Sequence, residues 1–273
     1  MDNPKKISYE QARDGNRAMW DEITPVHLNS YGVERFLAGE RWLPHKILEE
    51  VGNVEGMSLL HLQCHFGLDS LAWVRKGADV TGVDFSEKAI KAARDLSQRA
   101  SLPAAFIQSD IYDLPQNLSG QFDIIFTSIG VLCWLKDLST WAKIIAHFLK
   151  PGGFFYIMDG HPLLNTFDEE GKWRFELPYF HQEQPFVWDD EGSDYMDPNY
   201  IVKNPSFEWQ WTVSDIINAV IGAELLLDFF HEFSALEDPV YPGMLQREDG
   251  LYTFSDMPIE LPILFSMKAH KEK

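Results

Sequence analysis

Ser58-Leu59-Leu60-His61-Leu62-Gln63-Cys64-His65-Phe66-Gly67-Leu68-Asp69-Ser70 is the stretch on which the fold turns. Residues 57–62 form a short apolar run and Gly67 interrupts it. Leu68, Leu71, Ala72 and Val74 then recur at helical spacing up to Gly77, where a left-handed C-cap fits. The order is strand, loop, helix, and it repeats downstream. Asp79–Asp84 alternates into a second strand, Ser86 is placed as an N-cap, and Ala89, Ile90, Ala93 and Leu96 make one helical face. A third strand over 104–108 follows Pro103, and Phe122–Ser128 is a continuous apolar strand core. Leu138, Trp141, Ile145, Phe148 and Leu149 keep helical spacing up to the turn Pro151-Gly152-Gly153, and residues 154–158 make the next strand. Strands apolar along their whole length, alternating with helices, belong in a parallel sheet covered on both faces and joined by right-handed crossovers. The expected fold class is α/β, a doubly wound sheet.

Outward from this region the pattern changes. Residues 163–207 carry Phe167, Trp173, Phe175, Tyr179, Phe180, Phe186, Trp188, Tyr195 and Tyr200 with several prolines and little helical period, which predicts a β-rich insertion. Helical spacing returns at Val213, Ile216, Ile217, Val220 and Ile221, and residues 224–233 and 261–268 read as two strands paired at the sheet edge. The 273-residue chain has a net charge of −19, and from residue 163 onward 22 acidic side chains face 7 basic ones. Such a surface repels a phosphate backbone, so nucleic acid is not an expected partner. The acid is expected to face the substrate. The longest uncharged apolar-looking run, residues 124–135, is short of the roughly 18 apolar residues a membrane span needs, and no apolar stretch follows Lys5 and Lys6 as in a secretory leader. Two cysteines, Cys64 and Cys133, make no disulfide framework, so a reducing, cytoplasmic setting is expected, with a homodimer as the form of self-association.

In an open α/β sheet a ligand binds beyond the carboxyl ends of the strands, where the strand order reverses. Gly82-Val83-Asp84-Phe85-Ser86 ends the second strand, and a carboxylate there can accept from both hydroxyls of a ribose. Gln108-Ser109-Asp110-Ile111 ends the third and offers a carboxylate to an adenine amino group. Together they predict an adenosine site.

These motifs resemble the class I S-adenosylmethionine-dependent methyltransferases over roughly residues 57–160, and more loosely to the end of the chain. The match comprises the glycine loop after strand one, Val83-Asp84-Phe85-Ser86, Ser109-Asp110-Ile111-Tyr112-Asp113-Leu114-Pro115, Phe122-Asp123-Ile124-Ile125-Phe126 and Leu149-Lys150-Pro151-Gly152-Gly153-Phe154, in the family's order and spacing. The departure lies in the first motif, where His61, Gln63, Cys64, His65 and Gly67 stand in place of the usual acidic residue and Gly-Cys-Gly-x-Gly run. This is a His-Leu-Gln-Cys-His-Phe-Gly variant. The resemblance implies a Rossmann-like, seven-stranded, mostly parallel sheet with an antiparallel edge hairpin. It also implies S-adenosyl-L-methionine as cofactor and a small-molecule acceptor methylated by in-line transfer. The expected cofactor-binding residues are Gln63, Cys64, His65, Gly67, Asp84, Phe85, Ser86, Asp110, Ile111, Ser128 and Ile129. An N-terminal helical segment, residues 1–50, is expected to cap the site with Trp20, His27 and Tyr31. Residues 51–162 and 208–273 would form the cofactor-binding domain, and 163–207 a substrate-covering insertion.

Methyl transfer from a sulfonium needs alignment in a dry pocket more than it needs a base. Where a base is used, Asp159, His161 and His181 are the candidates. His61 and His65 lack a third ligand to complete a metal site, so none is expected. Two rival readings stand beside this one. An NAD-dependent oxidoreductase would need a G-x-G-x-x-G first loop, which is missing. A methyltransferase fold kept only for binding is allowed by the altered first motif. Thr127-Ser128-Ile129-Gly130 also lacks the Asn/Asp-Pro-Pro-Tyr signature of enzymes that methylate nucleic-acid amino groups.

Overall fold

The computed structural model of the chain describes residues 6–40, 42–167, 173–189, 192–241, 243–254, 257 and 259–273. Three helices come first: α1 (Tyr9–Ser30), α2 (Val33–Leu37) and α3 (His45–Val51). A capping box starts α1, in which Gln11 N donates to Ser8 Oγ and Ser8 N donates to Gln11 Oε1. The alternating core follows as β1 (Ser58–Leu62), α4 (Leu68–Arg75), β2 (Asp79–Asp84), α5 (Glu87–Ala100), β3 (Ala105–Gln108), α6 (Leu114–Asn117), β4 (Phe122–Ser128), α7 (Leu138–Phe148) and β5 (Leu149–Gly160). Then come β6 (Phe186–Trp188), β7 (Ser206–Glu208), α8 (Val213–Gly222), β8 (Leu226–Phe233), β9 (Leu245–Gln246), β10 (Tyr252–Thr253) and β11 (Leu264–His270).

Seven strands form one sheet in the order β3-β2-β1-β4-β5-β11-β8, in which β11 alone runs opposite to the other six. The order reverses between β1 and β4, which places the ligand crevice at their carboxyl ends. Alternate strand residues enter two cores. Leu59, Ile124, Phe126 and Tyr156 pack on one face of the sheet with Trp73, and Leu60, Ile125, Phe155 and Phe265 pack on the other with Trp141. Both faces being buried explains why β1 and β4 read as unbroken apolar runs.

Strands β8 and β11 pair at the sheet edge as expected, but residues 234–263 join them and β11 lies between β5 and β8. The segment 163–207 contains less strand than its aromatic content suggested. It holds the ribbon β6–β7, which runs on to Glu208, and isolated bridges Phe167–Phe175 and Ser193–Ile201. Pro178, Pro185, Pro198 and Pro205 deny it longer ladders. Parts of this expectation, residues 168–172 and 190–191, lie outside the described residues.

The segment docks on α1. Asn16 Nδ2 donates to Phe207 O at 2.8 Å while Phe207 N donates to Asn16 Oδ1 at 2.7 Å, and Gly15 leaves room for the Phe207 ring. Glu22 accepts from Tyr200 OH, Lys203 N, Asn204 N and Asn204 Nδ2 at 2.6–3.1 Å. No helix among the described residues is long and apolar enough to cross a membrane.

Gly82 stands at a crowded point of the core. A Cβ there would lie 2.7 Å from the Phe106 ring and 2.9 Å from Cys64 Sγ. Overpacking of this kind costs about 1–3 kcal/mol. Gly82→Ala is therefore expected to lower the unfolding free energy in urea by that amount, and Phe106→Leu in the same chain to restore part of it. Additive losses in the double variant would show that the ring is not the obstacle.

Candidate active site

Between β1 and α4 the backbone turns through Gln63, His65 and Gly67 at φ 54°, 50° and 80°. Left-handed backbone costs a non-glycine residue about 1–2 kcal/mol, and local bonds offset it here. Gln63 Nε2 donates to Val131 O at 3.1 Å, and His65 N donates to Asp84 Oδ2 at 2.8 Å. The His65 ring packs 5.1 Å from Trp20 and 5.3 Å from His27, filling the space between the loop and α1. Gly67 has no substitute, because a Cβ would stand 2.7 Å from Phe106 as well as at positive φ. Cys64 N donates to Val83 O at 2.9 Å, and burial pushes its thiol up, so Cys64 packs as an apolar residue.

Asp84 ends β2 with its carboxylate buried, accepting from His65 N and, at 2.9 Å, from Ser86 N. Burial raises it to about 6, with Asp21 adding to the rise and the backbone donors opposing it. Asp110, just past β3, accepts from Tyr112 N at 2.8 Å and from Tyr9 OH at 2.9 Å, and burial again shifts it upward. A third carboxylate, Asp69, stands in the first turn of α4. It accepts from Trp42 Nε1 and from Ser128 Oγ, both at 2.7 Å. His61 lies beside them, its Nδ1 2.8 Å from Ser70 Oγ, and burial lowers it to about 3, so it is neutral.

Helix α1 roofs these strand ends. Tyr9, Arg13, Asn16 and Trp20 come from one of its faces, Tyr31 follows it, and Tyr195 and Trp209 reach in from beyond β5. The cavity so enclosed, with its open mouth, holds about 1170 Å³. Tyr31 and Tyr195 share a hydroxyl–hydroxyl bond of 2.5 Å, and burial pushes Tyr31 up to about 12.

Gln63, Cys64, His65, Gly67, Asp84, Phe85, Asp110, Ile111, Ser128, Ile129, Trp20 and Tyr31 all line this cavity. Ser86 and His27 do not. Ser86 Oγ caps α5 through Ala89 N and donates to Asp21 at 2.6 Å, which fastens α1 to α5. His27 sits behind the aromatic wall, 2.9 Å from Asp194. The three base candidates are also elsewhere. Asp159 lines a smaller neighbouring cavity, and its carboxylate accepts from the backbone N–H groups of Gly130, Val131, Leu132 and Gly160. His161 has one ring nitrogen 2.8 Å from Glu232 and accepts from Leu163 N on the other. His181 stacks on Trp211 at 3.8 Å and donates to Gln210 O. Among the described residues after 163 only Tyr195 and Trp209 reach the main cavity, so its acidity comes from Asp69, Asp84 and Asp110 rather than from the acidic C-terminal half.

Sequence reasoning missed Tyr9, Arg13, Asn16, Trp42 and Asp69 as cavity residues. The spacing of 9, 13, 16 and 20 was the available signal, being one stripe of a helix.

The sheet order, with helices on both faces, defines a Rossmann-like fold, and the turn after β1 and the carboxylates at the ends of β2 and β3 sit together at its carboxyl edge. Residues 60–157 match the family described as methyltransferase domain. A ubiquinone biosynthesis O-methyltransferase from Bordetella avium is 31% identical over 149 residues, which cover 52% of this chain and 57% of that protein. The chain thus spans little more than half the length of this curated relative. Among solved structures, an S-adenosylmethionine-dependent methyltransferase from Mesorhizobium loti superposes with a TM-score of 0.53 at 20% identity, covering 86% of this chain and all of that one. A glycopeptide N-methyltransferase complexed with sinefungin gives 0.51 at 12% identity over 84% of this chain and 85% of its own.

Proposed function

We propose that the protein binds S-adenosyl-L-methionine and transfers its methyl group to a small-molecule acceptor. The observation that carries this reading is the row of carboxylates along the carboxyl edge of the sheet. Asp110 stands at β3, Asp84 at β2 and Asp69 beside β4, with the turn after β1 between the last two. Asp84 would accept from the ribose hydroxyls, Asp110 would face the adenine amino group, and Ile111, Val131 and Leu135 would supply apolar walls for the base. The residues present suit such a ligand, since Gln63 Oε1 and His65 Nε2 are buried polar atoms with no partner among the described residues. The cofactor brings a methyl already activated on sulfur. The protein's part is to align the acceptor and exclude water. Trp20, Tyr31, Trp134 and Tyr195 would provide an aromatic wall for the acceptor, with Trp20 set edge to face against Trp134, and Arg13 is the only cation among the described lining residues. A wall of this kind suits an acceptor with an apolar or aromatic body. Both cysteines are free, in keeping with a reducing cytoplasmic setting.

Transfer of labelled methyl to a panel of hydroxylated and amino compounds with apolar or aromatic bodies tests the activity. Label in at least one product, lost when unlabelled cofactor is added in excess, is expected. No transfer to any acceptor despite tight cofactor binding would favour a binding protein.

The Asp84 carboxylate gives the reading a pH signature. Ribose hydroxyls donate to the ionised form, so cofactor affinity should be full above about pH 6 and fall by up to about tenfold per pH unit below it, as Asp84 takes a proton. The ligand-free fold responds with the opposite sign. Its folded value near 6 lies above the roughly 3.9 of an unfolded aspartate, so the stability this group contributes is present at low pH and lost between about pH 4 and 6. Calorimetric titrations at pH 5 and 7 check the affinity, and the difference should vanish in Asp84→Asn.

A further inference from the structure

We propose that Asp69 anchors the α-ammonium group of the cofactor's amino-acid arm, an assignment that rests on the cofactor reading above. Three carboxylates line the cavity, and the other two are spoken for by the nucleoside at β2 and β3. Asp69 lies across the switch point, bonded to Ser128 at the end of β4. From β3 to β4 is three strand spacings, about 14 Å. A nucleoside laid from Asp110 towards Asp84 therefore carries whatever hangs from its 5′ carbon over the turn after β1 and on to Asp69.

The chemistry of the spot selects a cation. Asp69 takes hydrogen bonds from two neutral donors, Trp42 Nε1 and Ser128 Oγ, one on each carboxylate oxygen. An ionised carboxylate offers about four acceptor positions, so two stay open. No ion pair is made to Asp69 among the described residues, and the neighbouring His61 is neutral. The one cation in the lining, Arg13, is on α1, where its charge acts on Asp110 and Tyr9 at the nucleoside end and it bonds Asp14. A charged carboxylate in a cavity wall without a cation is costly, and an ammonium entering with the ligand removes that cost. The Trp42 and Ser128 bonds hold the carboxylate in one orientation before the ligand arrives.

The test is the affinity of the wild-type chain and of Asp69→Asn for two uncharged-sulfur nucleosides, S-adenosylhomocysteine, which has the amino-acid arm, and methylthioadenosine, which lacks it. The expected result is a loss of roughly 10- to 100-fold for S-adenosylhomocysteine and a change within about threefold for methylthioadenosine. An S-adenosylhomocysteine analogue without its amino group should bind both chains alike. Equal losses for both nucleosides would overturn the assignment and make Asp69 a structural link between Trp42 and Ser128. So would an unchanged affinity for S-adenosylhomocysteine, or an effect confined to the KM of the acceptor. Failure of the wild-type chain to bind either nucleoside would instead remove the cofactor reading, and this proposal with it. Asp69→Ser serves in the same assay if the asparagine chain does not fold.

Discussion

Asp159→Ala is expected to destabilise the protein by about 3–5 kcal/mol, the largest loss from any single substitution considered. The carboxylate is 3% exposed and collects the N–H groups of Gly130, Val131, Leu132 and Gly160. Alanine would leave these donors without an acceptor, at about 1–3 kcal/mol for each buried one before relaxation. Rearrangement of the turn after β4 recovers part of the sum, which sets the estimate below the total for four groups. Gly130 and Val131 also line the main cavity, so Asp159 shapes it by holding its wall. Urea unfolding of the variant measures the loss. A chain that keeps its midpoint and loses only turnover would restore Asp159 to the chemistry and contradict this account.

The second large effect is on ligand affinity. Asp84→Ala should weaken binding of S-adenosylmethionine by about 1.5–3 kcal/mol, roughly 10- to 150-fold, the scale of charge-assisted bonds to a ligand. Two contributions act in the same direction. The ribose loses its acceptor, and His65 N loses the bond that helps hold the turn at positive φ. Asp110→Ala should cost less, because the adenine amino group would offer Asp110 one neutral donor where the ribose would offer Asp84 two hydroxyls. Calorimetric titration of both variants ranks them, and an Asp110 loss exceeding that of Asp84 would reverse the proposed orientation of the nucleoside.

The parallel core was legible because each strand and its following helix are written contiguously, with glycine or proline punctuation between them. The carboxylates of β2 and β3 were legible for the same reason, since a strand end is a local feature. What escaped depends on contacts distant in sequence. His27 looked like a ligand-facing residue of the cap until the fold brought Asp194 to its ring, 167 residues away. Ser86 was recognised as an N-cap, and the bond to Asp21 that turns its hydroxyl away from the cavity could not be read from either segment alone. The stripe Tyr9, Arg13, Asn16 and Trp20 was visible as a helix face, but only tertiary packing decides that it looks onto the strand ends. Asp159 and His161 follow β5 at the correct end of the sheet for catalysis. Their partners, the turn after β4 and Glu232 on β8, assign them to structure.

The row of strand ends from β3 to β4 is proposed as a site for an adenosine-linked sulfonium amino acid. Calorimetric titration of the protein with S-adenosylmethionine, with NAD as control, tests it most directly. Saturable binding of one S-adenosylmethionine per chain, displaced by S-adenosylhomocysteine, is expected, with no heat from NAD beyond dilution. Equal binding of both dinucleotide and sulfonium, or no binding of S-adenosylmethionine at millimolar concentration by the folded chain, would contradict it.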